Sequence, residues 1–150
     1  MREAIRLSIH MMRRGQGGPF GAVVVRDGKI VGRGCNQVTS ANDPTAHAEI
    51  VAVRSACRVL GSFQLTGCDI YASCEPCPMC LGAIYWSGIK KIVFAADRLD
   101  AAASGFSDSL IYDELALKPE KRQVAFIHVP DEGGKEVFRL WDEFENRITY

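Results

Sequence analysis

The chain has 150 residues, of which 47% are hydrophobic, and its 18 basic and 18 acidic side chains cancel to a formal net charge of zero. That length suits one compact domain burying roughly 70% of its unfolded surface. The charge balance argues against an extended polyanionic partner, because nucleic-acid binders carry a basic face.

Ile5, Leu7, Ile9 and Met12 give residues 4–12 one apolar face and predict a helix, which Gly15-Gln16-Gly17-Gly18-Pro19 breaks. Residues 20–25 and 30–34 read as strands joined by Asp27-Gly28, a strong hairpin signal. Residues 36–44 are polar and loop-like, and Asp43 or Thr45 is placed to cap a helix over 46–60 that stops at Gly61. A short buried strand follows at 69–73, then a helix from Cys77 to Ser87 with Gly88 as its C-terminal signal, then a third buried strand at 91–95. Residues 97–109 read as loop, 110–117 as a short helix and 124–129 as another strand. Val137, Leu140, Trp141 and Phe144 make 136–147 an amphipathic helix, with Trp141 in the core and Gly133-Gly134 as a hinge ahead of it. A hairpin followed by alternating helices and strands implies one α/β domain over residues 1–150, with helices on both sheet faces.

No apolar run approaches the roughly 20 residues of a membrane span. Glu3, Arg13 and Arg14 interrupt any signal-like core near the start. Six cysteines in such a chain read as reduced thiols of a cytoplasmic protein.

Three of the soft donors fall into two short motifs, His47-Ala48-Glu49 and Pro76-Cys77-Pro78-Met79-Cys80. One His and two Cys make three zinc ligands and leave a fourth position open, whereas a structural site closes it. Cys77 and Cys80, three residues apart at a helix start, face the same way, and the positive helix end favours their thiolates. Glu49 lies two residues from His47, near enough to reach a water at the metal without binding it. An open zinc beside a free carboxylate is an arrangement for activating water. Cys74 shares the even spacing of Cys77 and Cys80 but precedes the expected helix, and Cys35, Cys57 and Cys68 read as plain thiols.

These motifs resemble the His-x-Glu and Pro-Cys-x-x-Cys signature of the zinc-dependent nucleobase and nucleoside deaminases. The resemblance implies a three-layer α/β/α fold around a mixed five-stranded sheet. It also implies one zinc per subunit on His47, Cys77 and Cys80, and Glu49 as the shuttle between attacking water and departing amine. Further matches are similar to the bacterial guanine deaminase family: 17–22, 42–49, 73–80, 83–86, 105–109 and the terminal Tyr150. They imply guanine as substrate, with Asn36, Phe20, Ala48, Asp108, Tyr150 and Trp86 around the base. They imply a homodimer in which residues 133–150 cross to the neighbouring subunit and help close its site. The core motifs alone would also serve a deaminase of tRNA adenosine, cytosine or an aminotriazine such as ammeline. A zinc-stabilised binding module without catalysis is the reading that leaves Glu49 without a use.

Overall fold

The Asp27-Gly28 turn takes φ of 50° and 73°, the two left-handed conformations that a two-residue hairpin turn needs. In the computed structural model, which describes residues 1–149, this turn joins β1 (Gly21–Arg26) to β2 (Lys29–Cys35). The antiparallel register carries one irregularity between Val24 and Val25. β1 also pairs antiparallel with β3 (Cys68–Cys74), and β3 pairs parallel with β4 (Lys91–Ala96). Lys91 sits opposite Asp69 in that register, and their side chains form an ion pair at 2.6 Å.

The result is a mixed sheet in the order β2-β1-β3-β4. It has four strands among the described residues, not the five expected. Residues 124–129 are β-branched and aromatic enough for a strand but have no ladder partner, and Val124, Ile127 and Val129 are 71, 83 and 72% exposed. Strand propensity of this kind is realised only against a neighbouring edge.

Two helices lie on opposite faces of the sheet, and glycines set how close they come. Gly34 pairs with Ala22 and Gly21 with Cys35, so Gly34 and Gly21 project to opposite sides. A Cβ on Gly21 would overlap the Ala4 carbonyl oxygen of α1 (Arg2–Arg13). One on Gly34 would overlap the Ala48 carbonyl oxygen of α3 (Ala48–Leu60) and lie 2.5 Å from the Ala52 nitrogen. Gly32, two residues back on the same face, would meet the Ala56 Cβ at 2.8 Å. Ala48, Ala52 and Ala56 recur every four residues along α3 and are all completely buried. They share a core with Ala22, Val24, Leu65, Ile70 and Ile84. Ile84 belongs to α4 (Pro78–Trp86), the crossover between β3 and β4, so α4 lies on the α3 side.

Several local expectations need correction. A short helix, α2 (Val38–Ala41), forms inside the segment read as loop. So does α5 (Arg98–Ala103), for a clear reason: Asp97 accepts from the Leu99 and Asp100 N–H groups while Asp100 returns the bond to Asp97, a complete capping box.

The chain divides into two compact units, residues 1–110 and 111–150. In the second, α6 (Ser109–Ala116, which starts just before the division) and a 3-10 turn (Pro119–Lys121) are tied by Arg122. Its Nε donates to the Glu114 carbonyl at 3.0 Å, and its guanidinium lies 4.8 Å from the centre of the Phe126 ring. Helix α7 (Glu132–Glu143) starts four residues before the position its apolar stripe predicts. Asp131 accepts from the Gly133 N–H at 2.7 Å, so Gly133-Gly134 lie in the first turn of the helix instead of forming a hinge. Trp141 is 40% exposed and packs on Phe144 at 6.4 Å, so it is not a core residue of its own chain. No helix among the described residues is long and apolar enough to cross a membrane.

Candidate active site

Two helix starts meet at the site. His47 is the N-cap of α3 and Cys77 the N-cap of α4, each with extended backbone at φ/ψ of −67/156° and −64/167°. Neither side chain caps its own helix, so both remain available to a ligand. The expected caps act one step earlier: Asp43 Oδ1 accepts from the Thr45 N–H at 2.8 Å and from its hydroxyl at 2.7 Å, folding the loop that leads into His47. Cys80 lies in the first turn of α4, three residues after Cys77, and Glu49 in the first turn of α3. The N-terminal ends of both helices turn the positive ends of their dipoles toward this corner.

His47 Nδ1 lies 3.6 Å from Cys77 Sγ and 3.6 Å from Cys80 Sγ. All three donor atoms fall within 4.8 Å of one another. Tetrahedral zinc with bonds of about 2.0 Å to nitrogen and 2.3 Å to sulfur puts those atoms about 3.5 Å apart, so the donor set fits zinc in both chemistry and spacing. Cys80 Sγ donates to Glu49 Oε2 at 3.4 Å, which places the carboxylate at the edge of the ligand set.

Burial and neighbours divide the charges. The Cys77 thiol is brought down to about 4, chiefly by its contact with Cys80 and also through His47, against the cost of burial. Cys80 is pushed up by its contact with Cys77, by burial and by the Glu49 charge. His47 is held above its ordinary value by its bond with Cys77, partly offset by burial. Burial raises Glu49, which is 6% exposed. A carboxylate whose proton affinity has been raised in a dry site is suited to taking up and releasing a proton. Cys74 stands apart from this group. Its Sγ donates to the Asp97 carbonyl at 3.4 Å, and burial together with the Glu49 charge pushes it up to about 11, leaving it a thiol.

The remaining residues singled out in the sequence are distributed unevenly. Asn36 follows β2, is 7% exposed, and adjoins the ligand helix because the Gln37 N–H donates to the Ala46 carbonyl at 2.9 Å. Ala48 is completely buried, with its carbonyl oxygen close against Gly34 of β2. Phe20 stands beside Asn36, whose N–H donates to the Phe20 carbonyl at 3.0 Å. Asp108 is half-buried immediately before α6. Trp86 ends α4 and is 68% exposed, about 13 Å along the helix from Cys77, so it is not gathered with the ligands of its own chain. Tyr150 lies outside the described residues.

One residue was quoted in the sequence only as part of a motif. Phe106 meets Phe20 edge to face, with centroids 5.0 Å apart and an interplanar angle of 90°. It thereby ties the turn that carries Asp108 to the aromatic ring beside Asn36. Neither spacing nor composition signals such a pairing across 86 positions.

Comparison with known proteins agrees with this geometry. The cytidine and deoxycytidylate deaminase zinc-binding region matches residues 1–96. The chain is similar to the guanine deaminase of Bacillus subtilis, at 49% identity over 150 residues, covering 100% of this chain and 96% of the relative. The X-ray structure of guanine deaminase from Bacillus subtilis superposes with a TM-score of 0.97, covering 99% of this chain and 95% of that one. The tRNA-specific adenosine deaminase of the same organism is 37% identical over 114 residues, 76% of this chain and 70% of its own length. The chain belongs to the cytidine and deoxycytidylate deaminase family of zinc proteins, in the group that includes the guanine deaminase of Bacillus subtilis.

Proposed function

We propose that the protein hydrolyses guanine to xanthine and ammonia. The hydrolytic chemistry is carried by the joining of an open three-ligand set, His47, Cys77 and Cys80, to a buried carboxylate 3.4 Å from one of its sulfurs, and the choice of guanine by the full-length likeness to the guanine deaminase of Bacillus subtilis. Those three atoms would hold zinc, which would supply Lewis acidity to make water a better nucleophile near neutral pH. Glu49 does the proton work. Its carboxylate takes a proton from the attacking water and passes it to the ring nitrogen of the amidine as the new C–O bond forms. It then moves the hydroxyl proton to the amine, which leaves as ammonia when the C–N bond breaks. Guanine plus water thus balances to xanthine plus ammonia, with Glu49 returned to its starting state.

The base is held by Asn36 through its amide, by the Ala48 backbone and by the face of Phe20, with Asp108 reading a ring N–H. A neutral base rich in hydrogen-bonding groups needs a pocket with a few placed polar groups, not a basic surface. The zero net charge of the chain fits that demand and not an RNA substrate. The protein works as a homodimer in which residues 133–150 reach a second copy, bringing Tyr150 to its site; Trp86 belongs to the same interface. The support is the exposed apolar surface of the second unit, Ile127 at 83% and Phe138 at 72%. Its six free cysteines suit the cytoplasm.

Ammonia release from guanine, adenine, cytosine, guanosine, ammeline and tRNA tests the assignment. Guanine is expected to give the highest kcat/KM, and a higher value on tRNA or ammeline overturns it.

A further inference from the structure

The loop between α1 and β1 grips Asn36 through backbone atoms. The Asn36 N–H donates to the Phe20 carbonyl at 3.0 Å. Its side-chain Oδ1 accepts from the Gly18 N–H at 3.1 Å and from the Val38 N–H at 3.2 Å. An atom that faces two N–H donors has to be the oxygen, since a reversed amide would set its NH2 against both. The backbone therefore decides which way this amide points. Only the NH2 remains to be offered. No acceptor among the described residues takes it, and no side-chain nitrogen among them is sealed away without a partner, so the group opens to a ligand.

Gly17 is what permits the grip. A Cβ there would collide with the Asn36 carbonyl oxygen and sit 2.5 Å from Oδ1. The loop is pinned from its other side by Ser40, whose hydroxyl donates to the Gln16 carbonyl at 2.6 Å.

We propose that Gly17 and Gly18 are positioning residues that fix Asn36 as a hydrogen-bond donor and so select bases presenting an acceptor at that point. The acceptor class is a ring-nitrogen lone pair or an exocyclic oxygen. This rests on the reading of Asn36 as a base contact. An asparagine free to rotate would serve a donor or an acceptor equally. Here a base that turns an N–H toward Asn36 sets donor against donor, and the amide cannot turn to relieve it. A site whose buried polar group is left unpaired discriminates far more strongly than one that merely lacks a contact.

The test compares Gly17→Ala, Asn36→Ala, their double variant and Asn36→Asp in the zinc-loaded protein, reading guanine KM, kcat, zinc content and Tm. Asn36→Ala should raise KM by about tenfold or more, the loss of a hydrogen bond in a dry site. Gly17→Ala should raise KM similarly, with zinc retained and kcat changed less than KM. The double variant should be no worse than Asn36→Ala alone, because both act through one amide. Asn36→Asp keeps an oxygen for both N–H groups but turns the free donor into an acceptor, so it should fold, hold zinc and bind guanine at least as poorly as Asn36→Ala. If Asn36→Ala leaves KM unchanged, the base contact itself is wrong. If it raises KM while Gly17→Ala does not, or the two effects add, the base contact stands and the positioning role is overturned. Should Gly17→Ala fail to fold, Asn36→Asp decides: a wild-type KM there sinks the donor assignment.

Discussion

Residues 1–110 and 111–149 are comparably apolar but dispose of their apolar side chains differently. In the first, Ala22, Val24, Leu65, Ile70 and Ala72 have no exposed surface at all. In the second, no described residue is buried, and Val124, Ile127, Val137 and Phe138 are 71, 83, 64 and 72% exposed. An apolar stripe states that a face must be covered; it does not state by what. The first unit covers its sheet core within its own chain. Burying a side chain of that size is worth about 1.5–3 kcal/mol, so leaving four in water forfeits an amount comparable with the total stability of a small domain. That imbalance is the physical argument behind the proposed interface between copies.

If the first unit carries the chemistry and the second the proposed contact between copies, substitutions should separate the two. The largest effect is expected at the ligands. Cys77→Ser should lose zinc and, with it, turnover by about a thousandfold or more, whereas Cys74→Ser should keep both. Metal analysis of the purified variants checks this, and zinc-free Cys74→Ser would redraw the ligand set. Next comes Glu49→Gln, expected to retain zinc while turnover falls by about 10²–10⁴. Ammonia release near the wild-type rate would remove Glu49 from the proton path. In the second unit, Ile127→Lys combined with Phe138→Lys should leave zinc content unchanged but shift sedimentation toward a monomer, with a smaller loss of activity. An unchanged sedimentation profile would break the comparison outright.

Gly34→Ala should cost about 1–3 kcal/mol, the usual penalty for overpacking, and appear as a lowered Tm. The smallest effect concerns Glu3, which pairs with Arg6 at 2.7 Å and Arg33 at 3.1 Å and is lowered from 4.5 to about 2 by its bonds to Arg6 and then Arg33. Its folded-state value is depressed, so its contribution is complete above about 4.5 and fades as pH falls through about 2. The Tm gap between wild type and Glu3→Gln should therefore be present at pH 7 and close on acidification. A gap that widens in acid would reverse the sign.

Much of the first unit was legible because its signals are local. Asp27-Gly28 demands a tight turn wherever it occurs, and His47, Glu49, Cys77 and Cys80 carry their chemistry in residue type and spacing. The failures share the opposite property. The composition of residues 124–129 predicts a strand, yet a strand is a relation between two edges. The apolar stripe of 136–147 predicts a core position for Trp141, which is 40% exposed. The α5 helix was hidden because its start depends on reciprocal bonds between Asp97 and Asp100 and not on an apolar stripe. The Phe20–Phe106 contact and the grip on Asn36 arise only once distant segments have been brought together.

The docking of α3 on β2 has a consequence for how the gene can change. Where main chain lies against main chain, no rotamer is available to absorb a substitution. Gly32, Gly34, Ala48, Ala52 and Ala56 therefore form a strip in which every increase in size meets the polypeptide itself. The exposed positions of the same helix, such as Arg58 and Val59, face water and leave room for other side chains. The sequence space open to this helix is thus one-sided, broad toward water and nearly closed toward the sheet. His47, the N-cap of α3, stands at the end of that closed side.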